Sequence, residues 1–150
     1  VRMGDLIIRG MLPEDIDQIA HIESICFSMP WSKASFENEL KNELAYYQVA
    51  EVSGKVVAYM GMWKIIDECH ITNVAVLPEY RNRGIASILI KKMIDICRCS
   101  EISAMTLEVR VSNEPAINLY KKHGFLPVGK RPRYYYKPIE DALIMWRKVD

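Results

Sequence analysis

No apolar run approaches the roughly 20 residues that span a bilayer, so neither a transmembrane helix nor a membrane partner is expected. Net charge is nearly absent: Lys and Arg total 20, Asp and Glu 19, leaving +1. No global field calls for nucleic acid. No signal-peptide pattern is read at the start, and none of the four cysteines (Cys26, Cys69, Cys97, Cys99) forms a C-x-x-C pair. Reduced thiols in a cytoplasmic protein are expected rather than disulfides or zinc. The three histidines, His21, His70 and His123, are scattered, so no metal site is expected and each reads as structural or surface. No serine or cysteine with a partnered histidine is evident, which argues against a covalent acyl-enzyme. Repeats and low-complexity tracts are missing too.

Two familiar phosphate turns are also missing. A P-loop closes on Gly-Lys-Ser/Thr, where Lys neutralises phosphates and the hydroxyl holds magnesium. A dinucleotide turn needs G-x-G-x-x-G. Neither occurs in the stretch from Arg81 to Ala86 (RNRGIA), which has one glycine followed by Ala86 and Ser87.

What is present is one domain's worth of chain, 150 residues, half of them apolar. Its centre is the stretch Thr72–Ala86. An apolar strand ends at Pro78, a short basic turn follows, and a helix begins near Gly84. Ile85, Ile88, Leu89, Met93 and Ile96 recur at helical steps and predict that helix's apolar face. The first turn of a helix has main-chain N–H groups without intrahelical partners, and the positive end of the dipole lies there. Gly84 and Ala86 keep the turn lean and Arg81 and Arg83 add charge, so the stretch reads as a pyrophosphate cradle. An ordinary helix start with basic residues in solvent is the plainer alternative.

Around it the chain reads β α α β β β α β α β β. Leu6–Arg9 is a strand, and Pro13–Glu14–Asp15 opens a helix running to Ser24. The segment from Cys26 to Ser32 breaks it, holding Phe27 and Trp31 on an irregular loop beside Pro30. Ser32 caps a helix from Lys33 to about Lys41. Tyr46–Val52 and Lys55–Ile66 form a hairpin at Ser53–Gly54, and Cys69–Val76 enters the cradle. After the long helix, Met105–Val111 is a strand, Asn113 and Pro115 open a short helix, and Gly124 stops it. Pro127–Tyr136 and Ala142–Lys148 close the chain as a hairpin with Lys137–Asp141 as its loop. The fold class is α/β, a mixed sheet with helices on both faces.

Ligands of open α/β sheets bind at strand carboxyl ends. There the strand after the cradle delivers Glu108 and Arg110, and the next turn and helix deliver Asn113 and Tyr120. Glu108 suits proton removal from an amine and Tyr120 proton return to a thiolate, with a backbone N–H steadying an oxyanion. That set suits acyl transfer from a phosphate-bearing thioester by direct attack. Taken singly, Glu108 equally fits a solvent-facing strand residue, Tyr120 a core residue, and Asn113 a helix cap.

RNRGIA after NVAVLPEY resembles motif A (Q/R-x-x-G-x-G/A) of the GCN5-related N-acetyltransferase family, and LEVRVSNEPAINLYKKHGF resembles motif B. CFSMPWS, LEVR-x-SN-x-x-A-x-x-LY-x-x-x-GF, RYYY and EDALIM are similar to the RimI-type ribosomal-protein-alanine N-acetyltransferases within that family. The resemblance covers nearly the whole chain and implies the acyl-CoA N-acyltransferase fold with a splayed central sheet. It implies acetyl-CoA as cosubstrate, no metal, and a protein N-terminus, that of a ribosomal protein starting with alanine, as acceptor. By resemblance the main chain of Val74, Ala75 and Val76 pairs with the pantetheine arm, with the Val76 amide facing the thioester oxygen. Arg81, Asn82, Arg83, Gly84, Ile85, Ala86 and Ser87 form the pyrophosphate loop, and Asn113 touches the cofactor. Glu108 falls at the general base, Tyr120 at the general acid. Arg81 stands where many relatives have glutamine, and three tyrosines, Tyr134–Tyr136, replace the more usual pair followed by proline.

A protein α-amine has a pKa near 8 and a lysine amine near 10.4, so roughly a tenth of the former and fewer than about one in a thousand of the latter are uncharged at neutral pH. A mildly placed Glu108 suffices for an N-terminus. Phe27, Trp31, Tyr134 and Tyr135 could wall a slot for a peptide end, or could be packing between loop and core. Lys130, Arg131, Arg133 and Lys137 give the last hairpin a basic face suited to an acidic substrate tail or to solvent. The rival readings are a relative acting on lysine, a polyamine or another small amine, and a non-catalytic acyl-CoA-binding module.

Overall fold

A computed structural model describes residues 5–150. The strands are β1 (Leu6–Gly10), β2 (Ala45–Val52), β3 (Lys55–Ile65), β4 (Glu68–Val76), β5 (Ala104–Arg110), β6 (Leu126–Tyr135) and β7 (Glu140–Lys148). The helices are α1 (Ile16–Cys26), α2 (Lys33–Lys41), α3 (Ile85–Arg98) and α4 (Glu114–Lys122). The sheet order is β1-β2-β3-β4-β5-β7-β6. Every pairing is antiparallel except β4 with β5.

Residues Val56 to Met62 of β3 are buried one after another, with no alternation. A strand reads so only when both its faces are covered. Helix α1 packs on β3 and β4, and α3 packs on β2, β3 and β4. Phe36 of α2 is fully buried and meets Tyr47 and Tyr59 edge-on, tying the α1–α2 layer to the sheet.

Local chemistry sets the joints. Ser53 and Gly54 both have positive φ (50° and 84°), the backbone of a two-residue hairpin turn. Ser32 caps α2 by accepting from the Ser35 N–H. At the end of α4 the Phe125 N–H reaches the Tyr120 carbonyl and the Gly124 N–H the Lys121 carbonyl, with Gly124 left-handed at φ 87°. The first helix departs from expectation. Pro13–Asp15 forms a 3-10 turn and the α-helix begins only at Ile16, because Asp15 turns inward. Its carboxylate accepts from Arg9 (2.7 and 2.9 Å) and from the Leu12 N–H (2.7 Å).

The apolar stripe of α3 also differs. Ile85, Leu89 and Met93 are buried as expected, but Ile88 is exposed and Ile96 only half-buried; Ile90, Ile94 and Cys97 complete the stripe. This helix is apolar over two overlapping arcs, and the sheet takes the one centred a residue away from the arc expected. The closing loop is shorter than expected, residues 136–139, since β7 starts at Glu140.

One irregularity in β4 matters for function. Asn73 pairs with Gly61 and Ile71 with Met62, so Thr72 is an extra residue, a bulge. Tyr47 lies across Gly61, its own partner in the β2–β3 register. Its hydroxyl comes within 3.4 Å of Thr72 Oγ1. The ring fills the space a Cβ on residue 61 would need. Gly61→Ala is therefore expected to push the ring off the bulge and lower stability by about 1–3 kcal/mol, read by urea unfolding.

Candidate active site

Strands β4 and β5 are paired over only three positions, Glu68–Ala104, Cys69–Met105 and His70–Thr106. Past His70 and the Thr72 bulge they part, which opens one edge of β4. The Leu77 N–H donates to the Val57 carbonyl (2.9 Å). Successive residues of a strand point their main-chain groups to opposite sides. Ala75 therefore faces β3, whereas Val74 and Val76 turn theirs into the gap, as a strand-like ligand arm requires.

The cradle sits at the mouth of that gap. Asn82 and Gly84 both adopt left-handed backbone (φ 62° and 81°). The first intrahelical bond of α3 is from the Ile88 N–H to the Gly84 carbonyl (3.1 Å). The N–H groups of Ile85, Ala86 and Ser87 thus have no partner inside the helix. A Cβ on Gly84 would meet nothing within 4 Å, so the space over the turn is open to an anion. The two arginines are less free than the sequence suggests. Arg81 Nε donates to the Val76 carbonyl (3.1 Å), stapling the strand end, and Arg83 lies over the Tyr80 ring (5.5 Å).

Two cavities adjoin along this edge. One, of about 620 Å³, is lined by Val74, Ala75, Val76, Arg81, Asn82 and Gly84 to Ser87. The other, of about 500 Å³, is lined by Glu108, Phe27, Trp31 and Tyr135 among others. Cys26, Phe27, Val74, Asn113, Ala116 and Tyr120 line both. Asn113 reaches the shared wall while its Oδ1 caps α4 by accepting from the Ala116 N–H (3.3 Å). Of the cofactor-side and catalytic residues expected from the sequence, all but Arg83 line one continuous cleft.

Glu108 does not face open solvent. Its side chain is 9% exposed, with Oε2 at 2.5 Å from His70 Nε2 and Oε1 at 3.5 Å from Arg131 Nε. Burial pushes its carboxyl up, but the hydrogen bond and charge of His70, with the charge of Arg131, outweigh this and leave it below its ordinary range. It is ionised at neutral pH. Tyr120 is buried, and burial, reinforced by nearby Tyr135, pushes its phenol well above the ordinary value, so it keeps its proton. Its ring packs on Phe125 (5.7 Å).

The aromatic residues divide. Phe27 lines both cavities, and Trp31 lines one while packing on Phe36 (5.6 Å) and Trp63 (6.4 Å). Tyr135 lines the catalytic cavity under the Arg110 guanidinium (4.6 Å), its phenol pushed up to about 12 by burial and then by Tyr134 and Glu108. Tyr134 is not among the lining residues and stands edge-on against Tyr135 (5.0 Å).

Three groups in or beside the cleft escaped the sequence reading. His70, set aside as structural or surface, is hydrogen-bonded to Glu108 from 38 residues away. Only the parallel register of β4 and β5 reveals that. His123 Nε2 lies 2.9 Å from Ser87 Oγ, so a serine with a partnered histidine does exist, contrary to expectation. Its Ser87 lines the cradle cavity, which Glu108 does not, and His123 lines neither cavity. The pair orients a hydroxyl at a helix start and gives no reason to abandon direct attack. Glu23 lines the catalytic cavity as a buried carboxylate.

An open strand edge leading to a lean helix start, with an ionised carboxylate and a protonated phenol beside it, fits an acyl-coenzyme A and an amine acceptor. The model of the Acetyltransferase (GNAT) family matches residues 16–125, and the chain belongs to that family. It is an acetyl-CoA-dependent N-acetyltransferase. The chain is 44% identical over 144 residues, 95% of each protein, to a Bacillus subtilis (strain 168) protein provisionally named a ribosomal protein bS18-alanine N-acetyltransferase. The crystal structure of the Escherichia coli ribosomal-protein-S18-alanine N-acetyltransferase superposes with a TM-score of 0.90 at 30% identity, covering 97% of this chain and 94% of that one. Ard1 from Thermoplasma volcanium gives 0.91 at 30% identity, over 97% and 99%.

Proposed function

We propose that this chain, as a single cytoplasmic domain, acetylates the N-terminal α-amine of a protein, with a ribosomal protein beginning with alanine as its target. The observation that carries the reading is the shared cleft, which joins the helix-start cradle to a cavity lined by both Glu108 and Tyr120. The names of the Bacillus and Escherichia relatives support the acceptor.

The residues present fit acetyl-CoA: Arg81 to Ser87 would hold its diphosphate, Val74 and Val76 its pantetheine arm, and Asn113 the wall between. Bound there, it supplies the acetyl group already activated as a thioester. Glu108 receives the proton that the amine gives up on attack, directly or through one water, and His70 and Arg131 hold the carboxylate in place. Tyr120 delivers its proton to the departing sulfur. The Val76 N–H, turned into the gap, steadies the carbonyl oxygen as charge develops on it. Phe27, Trp31 and Tyr135, with Tyr134 behind, wall the slot for the first residues of the acceptor.

An acetylation assay on alanine-initiated peptides that also contain lysine tests this. The N-terminal amine should be modified and the lysine left free. Acetylated lysine or free polyamine with an untouched N-terminus would overturn the acceptor. Tight acetyl-CoA binding without turnover on any amine would overturn the reading as an enzyme.

A further inference from the structure

Glu23 is the least accounted-for group in the cleft. It is 2% exposed and lines the catalytic cavity. Its partners are all neutral donors: the Tyr59 hydroxyl and Asn73 Nδ2 (3.2 Å) on Oε1, and the Trp31 N–H (3.0 Å) on Oε2. The cavity's own cations lie elsewhere. Arg110 is taken by Glu140 (3.1 Å) and by the carbonyls of Tyr136 and Pro138, and Lys137 makes no bond to Glu23. A buried carboxylate without a cation is costly and calls for an explanation.

Its neighbour repeats the anomaly. Asn73 is 7% exposed and lines the same cavity. By donating Nδ2 to Glu23 it turns Oδ1 the other way, and that oxygen is buried with no partner. Unpartnered buried acceptors are rare in native proteins. Beside an acetyl-transfer site, an orphaned amide oxygen next to a buried carboxylate that lacks a cation marks a place for something that only donates.

We infer that Glu23 and the Asn73 amide oxygen seat the α-ammonium group of the acceptor chain. The inference rests on the N-terminal reading above and names what recognises that terminus. A carboxylate offers about four lone-pair sites, of which three are taken here, and the free amide oxygen offers two more. An ammonium has three N–H donors and one charge. When one proton leaves to solvent water, the two remaining N–H groups keep acceptors while the lone pair becomes available for attack, and Glu108 takes the next proton as the bond to carbon forms. The seat is negative and enclosed, so it supplies the countercharge that burying an ammonium requires.

The test compares two peptides on the CoA-loaded protein by calorimetry: an alanine-initiated peptide, and the same peptide with propanoyl in place of alanyl, which lacks only the amine. The free-amine peptide should bind at least about thirtyfold more tightly. Glu23→Gln should erase most of that preference and raise the peptide KM by a similar factor, with the KM for acetyl-CoA unchanged. Asn73→Ala should have a smaller effect of the same kind. Equal binding of both peptides by the unaltered protein, or a preference undiminished in Glu23→Gln, overturns the seat. Should Glu23→Gln lose its acetyl-CoA-stabilised thermal transition, the comparison on the unaltered protein decides alone. Failure of the N-terminal reading looks different: the unaltered protein then acetylates no peptide N-terminus, whichever peptide it binds.

Discussion

Glu108→Gln lowers kcat by about 10²- to 10⁴-fold and leaves acetyl-CoA affinity within about twofold. Gln keeps the size and the His70 contact but cannot take a proton, so the loss falls on the chemical step alone. The carboxyl is held below its ordinary range by His70 and Arg131 against the upward push of burial. It is therefore already ionised at neutral pH, and its own titration does not shape the neutral pH profile. The substrate does that: activity rises with pH as an α-amine with a pKa near 8 loses its proton. Steady-state rates across pH 6 to 9, roughly spanning that pKa, check both points. A Glu108→Gln enzyme with full turnover would remove Glu108 from the mechanism, and activity that falls as pH rises towards 8 would contradict attack by the uncharged amine.

Tyr120→Phe lowers kcat by about 10²-fold or more with little change in acetyl-CoA affinity. The phenylalanine ring keeps the packing on Phe125 (5.7 Å). No hydrogen bond holds the Tyr120 phenol among the described residues; burial and Tyr135 are what raise its pKa. Removing the hydroxyl thus deletes a proton and little else, and the thermal transition should stay where it was. Turnover measured beside a melting curve separates the two effects. Equal turnover in the variant would strip Tyr120 of its acid role, and a large loss of stability would make it a packing residue.

Much of this was legible because local rules and long-range pairing agree. The Ser53–Gly54 turn, the Ser32 cap, the Gly124 stop and the order of all eleven strands and helices follow from residue chemistry alone. So does the cradle, because a strand, a lean turn and an apolar helix are contiguous in sequence. What stayed hidden depends on register across the sheet. The Thr72 bulge leaves no sign in the residues around it, yet it decides that Val74 and Val76, not Ala75, face the gap. The partnerships of His70 with Glu108 and of Glu23 with Asn73 join residues 38 and 50 positions apart. No spacing rule reaches that far. Arg81 and Arg83 read as free charge because a sequence does not say that one caps the end of β4 and the other lies on Tyr80.

The account stands on the main-chain donors at the start of α3. A crystal structure with acetyl-CoA bound examines them directly. The diphosphate oxygens should lie within hydrogen-bond reach of the N–H groups between Arg83 and Ser87, with the pantetheine arm along Val74 and Val76. A diphosphate resting anywhere else, with those N–H groups still facing solvent, would contradict it.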